Sequence, residues 1–108
     1  MSLPHGQFDC TIDVAGRLAI PAALRGEFEE EVIISLEDGK LKIYQSEYDG
    51  GLSSDTSWNL KVDHWNRITI PNLLLDSSLL PRKVRLVSQD DCFEIQPRKE
   101  LQTTLTVA

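Results

Sequence analysis

The stretch Asp13-Val-Ala-Gly-Arg-Leu-Ala-Ile-Pro21 constrains this chain most, because the chain writes it twice. The second copy, Asp63-His-Trp-Asn-Arg-Ile-Thr-Ile-Pro71, lies 50 positions on and keeps the form Asp-x-x-x-Arg-apolar-x-Ile-Pro. The match continues outward, pairing Ile12 with Val62, Phe8 with Trp58 and Leu24 with Leu74. Farther on the offset becomes 52, as two extra residues in the second copy require. Val32 then pairs with Val84, Asp38 with Asp90, Leu41 with Phe93 and Ile43 with Ile95. A self-match of this length marks a duplicated structural unit.

The residue types dictate the local shape of each unit. Thr11-Ile12 and Lys61-Val62 lead in as strands. An Asp side chain accepts a hydrogen bond from an amide about two residues on and closes a turn. Gly16 stands where a positive φ is expected, and its counterpart is Asn66, the ordinary residue that best tolerates that conformation. Leu18-x-Ile20 and Ile68-x-Ile70 alternate as half-buried strands do. Pro21 and Pro71 end those strands and suit the first turn of a helix. The short helix after Pro21 is expected to end at Gly26, and the second to run from Pro71 to about Leu75. Val32–Leu36 and Leu41–Tyr44 read as a hairpin joined by the favoured Asp38-Gly39 pair. Val84–Val87 and Phe93–Ile95 repeat it across Gln89–Asp91. Leu101–Ala108 carries no decisive pattern and reads as a strand or a loose tail.

Length makes the two units depend on each other. With 108 residues the chain suffices for one small domain. One unit alone, roughly 45 residues, sits near the size at which a core fails without help. The expected division is a first repeat over residues 6–49, a linker over 50–57 and a second repeat over 58–100, both forming one domain. No apolar run is long enough to cross a membrane. Met1–Gln7 lacks the apolar stretch of a secretory signal. Cys10 and Cys92 form no Cys-x-x-Cys pair, so two buried thiols in a reducing cytosol are expected rather than a disulfide or a metal role.

Charge argues against the simplest picture of a nucleic-acid binder. The net charge is −6. Residues 1–50 hold ten acidic and four basic residues, giving −6, whereas residues 51–108 hold seven of each. The excess concentrates in Glu27-Phe-Glu-Glu-Glu31. Nucleic-acid binders are more often basic. No Ser, Cys or Lys stands in a nucleophile motif, and no Gly-rich phosphate loop is present, so no enzyme activity is expected. His5 and His64 have no ligand-spaced neighbours, so no metal and no cofactor are expected.

Two tandem Asp-x-x-x-Arg motifs, each running into apolar-x-Ile-Pro and then a hairpin, resemble the MraZ family of the AbrB-like proteins. The resemblance covers about residues 6–100. It implies a mostly β fold with short helices, in which two swapped hairpins interlock as one duplicated β-barrel. It also implies a cytoplasmic, nucleoid-associated transcription regulator that binds short repeated DNA boxes and assembles as a homo-oligomer, in some members a ring. Carried over by position, the motif residues are Asp13, Arg17, Asp63 and Arg67, with Gly16 and Asn66 in the turns. DNA contacts are then expected from Arg17, Arg25 and Arg67. The chain departs from the family pattern in three places, one of them the acidic run Glu27–Glu31 close behind the first motif. The joining segment is shorter than the family's helical one, and Leu24-Arg25 becomes Leu74-Leu75 in the second copy. The alternative is a protein-interaction module, an antitoxin-like or assembly-only relative with a protein partner.

Several residues carry two readings on sequence alone. Arg17 and Arg67 either contact DNA or brace the turns by pairing with Asp13 and Asp63. Arg82-Lys-Val-Arg85 is a solvated rim or a phosphate-facing patch. Trp65 either covers the mouth of the barrel or stacks against a partner.

Overall fold

A computed structural model describes residues 5–98. Leu101–Ala108 and the last two positions of the expected second repeat lie outside the described residues. The chain is mostly β. In order come β1 (Gln7–Thr11), β2 (Arg17–Ala19), a single 3-10 turn (Ala22–Leu24), β3 (Glu31–Glu37) and β4 (Lys40–Gln45). The second half repeats this with β5 (Ser57–Lys61), β6 (Arg67–Thr69), the helix α1 (Asn72–Ser78), β7 (Lys83–Ser88) and β8 (Phe93–Pro97).

The strands pair across the two copies. Six form one antiparallel sheet in the order β1-β7-β8-β4-β3-β5, and β2 pairs with β6 in a separate ribbon. Exchanging equivalent strands turns the six-strand order into its own reverse, which makes the fold pseudo-two-fold. The first strand of each copy pairs with the hairpin of the other: Phe8 sits opposite Leu86, and Trp58 opposite Ile34. Leu18 faces Ile68 in the ribbon, and Lys42 faces Glu94 between the hairpins. Each of these last pairs joins two equivalent residues, so the pseudo-axis passes through both.

The core follows the repeat. Ile12, Leu18, Ile20, Ile68 and Ile70 share one apolar cluster, and Val62 packs against it. Leu24 and Leu74, Val32 and Val84, Leu41 and Phe93, and Ile43 and Ile95 are all buried in that cluster. In the sheet these residues alternate with outward ones, as one buried face requires. The outer face carries a second, polar network. There the Glu37 carboxylate accepts hydrogen bonds from Ser35 Oγ and Tyr44 OH, both at 2.9 Å, and pairs with Lys42 Nζ at 3.2 Å.

Two expectations need correction, and a third is met only in part. The fold is mostly β as expected, but the sheet is not closed and does not by itself confirm the expected barrel: β1 and β5 are its edges. Each ribbon strand is only three residues long, fixed at one end by the Asp turn and at the other by a Pro that has no N–H to donate. β1 leads into β2 through the isolated bridge Ile12–Leu18 and the bond from the Asp13 amide to the Arg17 carbonyl. The first helix is also less than expected, because Gly26 does not cap it with a positive φ. The Phe28 side chain, buried in the core, turns the chain inward at that point, and its amide bonds back to the Leu24 carbonyl. The second helix instead runs past Leu75 to Ser78 and ends at Leu79 in the left-handed conformation, φ 56°. As expected, both turn residues of the first hairpin have positive φ, Asp38 at 56° and Gly39 at 78°, the arrangement of a type I′ turn.

Candidate nucleic-acid interface

The two motif turns have the same backbone. Asp13 Oδ1 accepts the amides of Ala15 and Arg17, both at 2.9 Å. Asp63 Oδ1 accepts those of Trp65 and Arg67, also at 2.9 Å. The amide of Gly16 reaches the Asp13 carbonyl and that of Asn66 the Asp63 carbonyl, each at 2.9 Å. Gly16 has φ 83° and Asn66 φ 61°, so two different residues meet one backbone demand. Each turn is then fastened to the other copy: Ile70 N–H donates to the Gly16 carbonyl at 2.8 Å, and Ile20 N–H to the Asn66 carbonyl at 2.9 Å.

Both arginines brace their turns. Arg17 Nε donates to Asp13 Oδ2 at 2.8 Å, and Arg67 Nε to Asp63 Oδ2 at 3.2 Å. Hydrogen bonding from the Arg17 amide, helped by the Ala15 amide and the Arg17 guanidinium, outweighs desolvation and holds the Asp13 carboxyl below its usual range. Desolvation raises the Asp63 carboxyl, but the Arg67 and Trp65 amides and the Arg67 guanidinium outweigh it, so it too is lowered. Both carboxylates therefore stay ionised at neutral pH. Each brace occupies one of the five N–H donors of a guanidinium.

Bracing does not take the arginines away from solvent. Leu18 and Ile68 point into the core, and the residues flanking them point outward. Arg17, Ala19, Arg67 and Thr69 therefore line one solvent face of the ribbon, with Arg17 opposite Thr69 and Ala19 opposite Arg67. Arg17 and Arg67 are diagonal neighbours there, about 7–8 Å apart at this register. Their side chains are 39% and 26% exposed.

The remaining candidates fall elsewhere. Arg25 is not on the ribbon. It stands exposed after the 3-10 turn, with Nε 3.3 Å from the Ile20 carbonyl, and Ile20 in turn bonds Asn66. In the Arg82-Lys-Val-Arg85 run, Arg85 pairs with Asp9 at 2.8 Å, and Arg98 reaches the same carboxylate at 3.1 Å, so Asp9 offsets one of these positive charges. Trp65 does not cover the core: its side chain is 61% exposed. Its ring lies 3.6 Å from that of His64 and 4.9 Å from the guanidinium carbon of Arg67. Only the aromatic side chain itself hinted at this in the sequence. Thr69, opposite Arg17 on the same face, had no signal in the sequence, because a Thr in a three-residue strand shows nothing until its face is known.

The surroundings of the two turns differ in charge. The Ile12 amide, leading into the first turn, bonds the Arg82 carbonyl, and the Val62 amide, leading into the second, bonds that of Glu30. Arg82 and Glu30 are equivalent positions of opposite sign. Glu27, Glu29, Glu30, Glu31 and Glu47 line one concavity on the acidic side.

An interlocked pair of duplicated hairpins, with an arginine-bearing Asp turn in each half, is the class of protein that this fold and site define. Residues 4–48, the first copy, match the family model described as "MraZ protein, putative antitoxin-like". Among solved structures, the chain is 20% identical to PHS018 from Pyrococcus horikoshii, known in solution, across 86% of this chain and 95% of that one, with a TM-score of 0.39. No helix among the described residues is long and apolar enough to cross a membrane.

Proposed function

We propose that this chain is a DNA-binding transcription regulator of the MraZ/AbrB type, acting in the cytoplasm at the nucleoid. Its contact surface is the solvent face of the β2–β6 ribbon. The observation that carries this reading is the placement of Arg17 and Arg67 as diagonal neighbours on one exposed face, each aimed by a carboxylate brace. A planar guanidinium held in one orientation suits phosphate and base edges alike. Arg25 adds a third cation beside the second turn. Three such contacts are too few for tight binding by one molecule of net charge −6. Several copies in a homo-oligomer supply the rest through effective concentration on repeated DNA boxes.

A second reading rests on the acidic concavity and on the antitoxin-like wording of the matched family. In it the chain binds a basic protein partner and no DNA. The double variant Arg17→Ala, Arg67→Ala separates the two, in protein shown to be folded and of unchanged subunit number. If the arginines contact DNA, affinity falls and the salt dependence of log K flattens by about 1 for each phosphate that the variant no longer neutralises. Unchanged affinity and slope make the arginines pure turn braces and favour the protein-partner reading.

A further inference from the structure

We propose that Trp65, held by His64 and Arg67, is a DNA-contact side chain that makes the two halves of the interface unequal, so that one molecule binds duplex DNA in a single orientation. The inference rests on the DNA-binding reading above.

The argument begins with the pseudo-symmetry. The backbone of the two turns is equivalent bond for bond. A two-fold surface with equal side chains would suit a palindromic site. This surface has Val14 and Ala15 in the first turn where the second has His64 and Trp65. Next to the turns it has Arg82 on one side and Glu30 on the other. The first half can attract phosphate, whereas Glu30 weakens that attraction at the second. What the second half offers instead is an indole.

That indole is exposed and yet held. It stands on the turn with 61% of its surface in water, free to meet a ligand. Its ring is fixed by the His64 ring on one side and by the Arg67 guanidinium, itself tied to Asp63, on another. A side chain already confined gives up little rotamer freedom on binding, so more of its interaction energy emerges as affinity. Trp65 also shares its turn with a ribbon arginine, so a duplex laid on Arg17 and Arg67 meets the indole. The DNA surface that complements it is apolar, namely deoxyribose and the thymine methyl group.

The test uses the full chain and short randomised duplexes. Duplexes retained by the wild type are sequenced, and the affinity of Trp65→Ala and Trp65→Phe for the recovered sequence is measured across a salt series. The expected consensus is not palindromic. Trp65→Ala weakens binding by about tenfold or more with an unchanged salt slope, because an apolar contact releases no counterions. Trp65→Phe recovers part of that affinity. In a Trp58→Phe background, the emission of Trp65 changes when duplex is added. Wild-type affinity in Trp65→Ala overturns the proposal and leaves the DNA reading intact. A slope lowered by about 1 in Trp65→Ala also overturns it, since Trp65 would then act only by positioning Arg67. A palindromic consensus overturns the single orientation. Failure of the wild type to retain any duplex overturns this proposal together with the DNA reading.

Discussion

The Gly16 carbonyl accepts a hydrogen bond from the Ile70 amide at 2.8 Å, so the turn of one copy is held by the strand of the other. The same approach limits what Gly16 can become. A Cβ built there lies 3.0 Å from the Ile70 carbonyl oxygen and 3.4 Å from the Leu75 side chain, at a φ of 83°. Gly16→Val is therefore strained in its backbone and crowded against the other copy. It should lower stability by about 1–3 kcal/mol. Asn66→Gly keeps the same backbone without strain and should change stability by less than about 1 kcal/mol. Urea midpoints of the two variants check this; equal destabilisation would show that the conformation of the turns is not what the glycine serves.

Residues 1–50 expressed alone should not fold as a monomer. In that fragment β1 is without its partner β7, β3 without β5 and β2 without β6, leaving only the β3–β4 hairpin paired. An isolated hairpin is marginal in water at best. Circular dichroism and sedimentation decide the matter. A stable folded monomer would mean that interlocking is dispensable, while a folded dimer of the fragment would restore the same pairings between two chains.

Acid should loosen the turns. The carboxyls of Asp13 and Asp63 are both lowered in the folded chain from an ordinary value of 3.8. A carboxyl lowered on folding contributes stability that is complete above its unfolded pKa and is lost as pH falls through its folded one. Stability should therefore drop as pH falls below about 3.8. Asp13→Asn with Asp63→Asn should flatten that drop without abolishing it, because Asp9, bonded by Arg85 and Arg98, is lowered too. Melting temperatures of wild type and double variant across this range provide the measurement.

Alkali should act through the thiols and, from about pH 10, also through the Tyr44 hydroxyl, which burial and its bond to Glu37 raise too. Burial pushes Cys10 and Cys92 from 9.0 up to about 11 each. A group raised on folding contributes stability that is complete below its unfolded pKa and is lost as pH rises through its folded one. Stability should then decline between about pH 9 and 11. Cys10→Ala with Cys92→Ala should reduce the decline. Both thiols of the folded wild type should also resist iodoacetamide at neutral pH and react once denatured, because the thiolate is the nucleophile. Rapid alkylation of the native protein would contradict the burial.

Spacing and residue type already determined the unit of this fold. The repeat identified the matched apolar pairs: Val32 with Val84 and Ile43 with Ile95 are buried in the core, while Phe8, Trp58 and Val62 pack against it partly buried. Turn chemistry could be read because it is local: an Asp followed by Gly or Asn, and then an Arg, closes its hydrogen bonds within five residues. Tertiary structure decided the rest. No local signal says that β1 will pair with β7 and not with β3, because both partners offer the same alternating face. Whether the sheet closes is likewise decided by pairings between strands far apart in the chain. Phe28 gives no core signal among the glutamates around it, since its burial depends on a space that other segments build. Trp65 is the reverse case. Its large apolar ring would suit a core position, yet the turn that carries it points away from the sheet, and the backbone bonds of Asp63 keep it there.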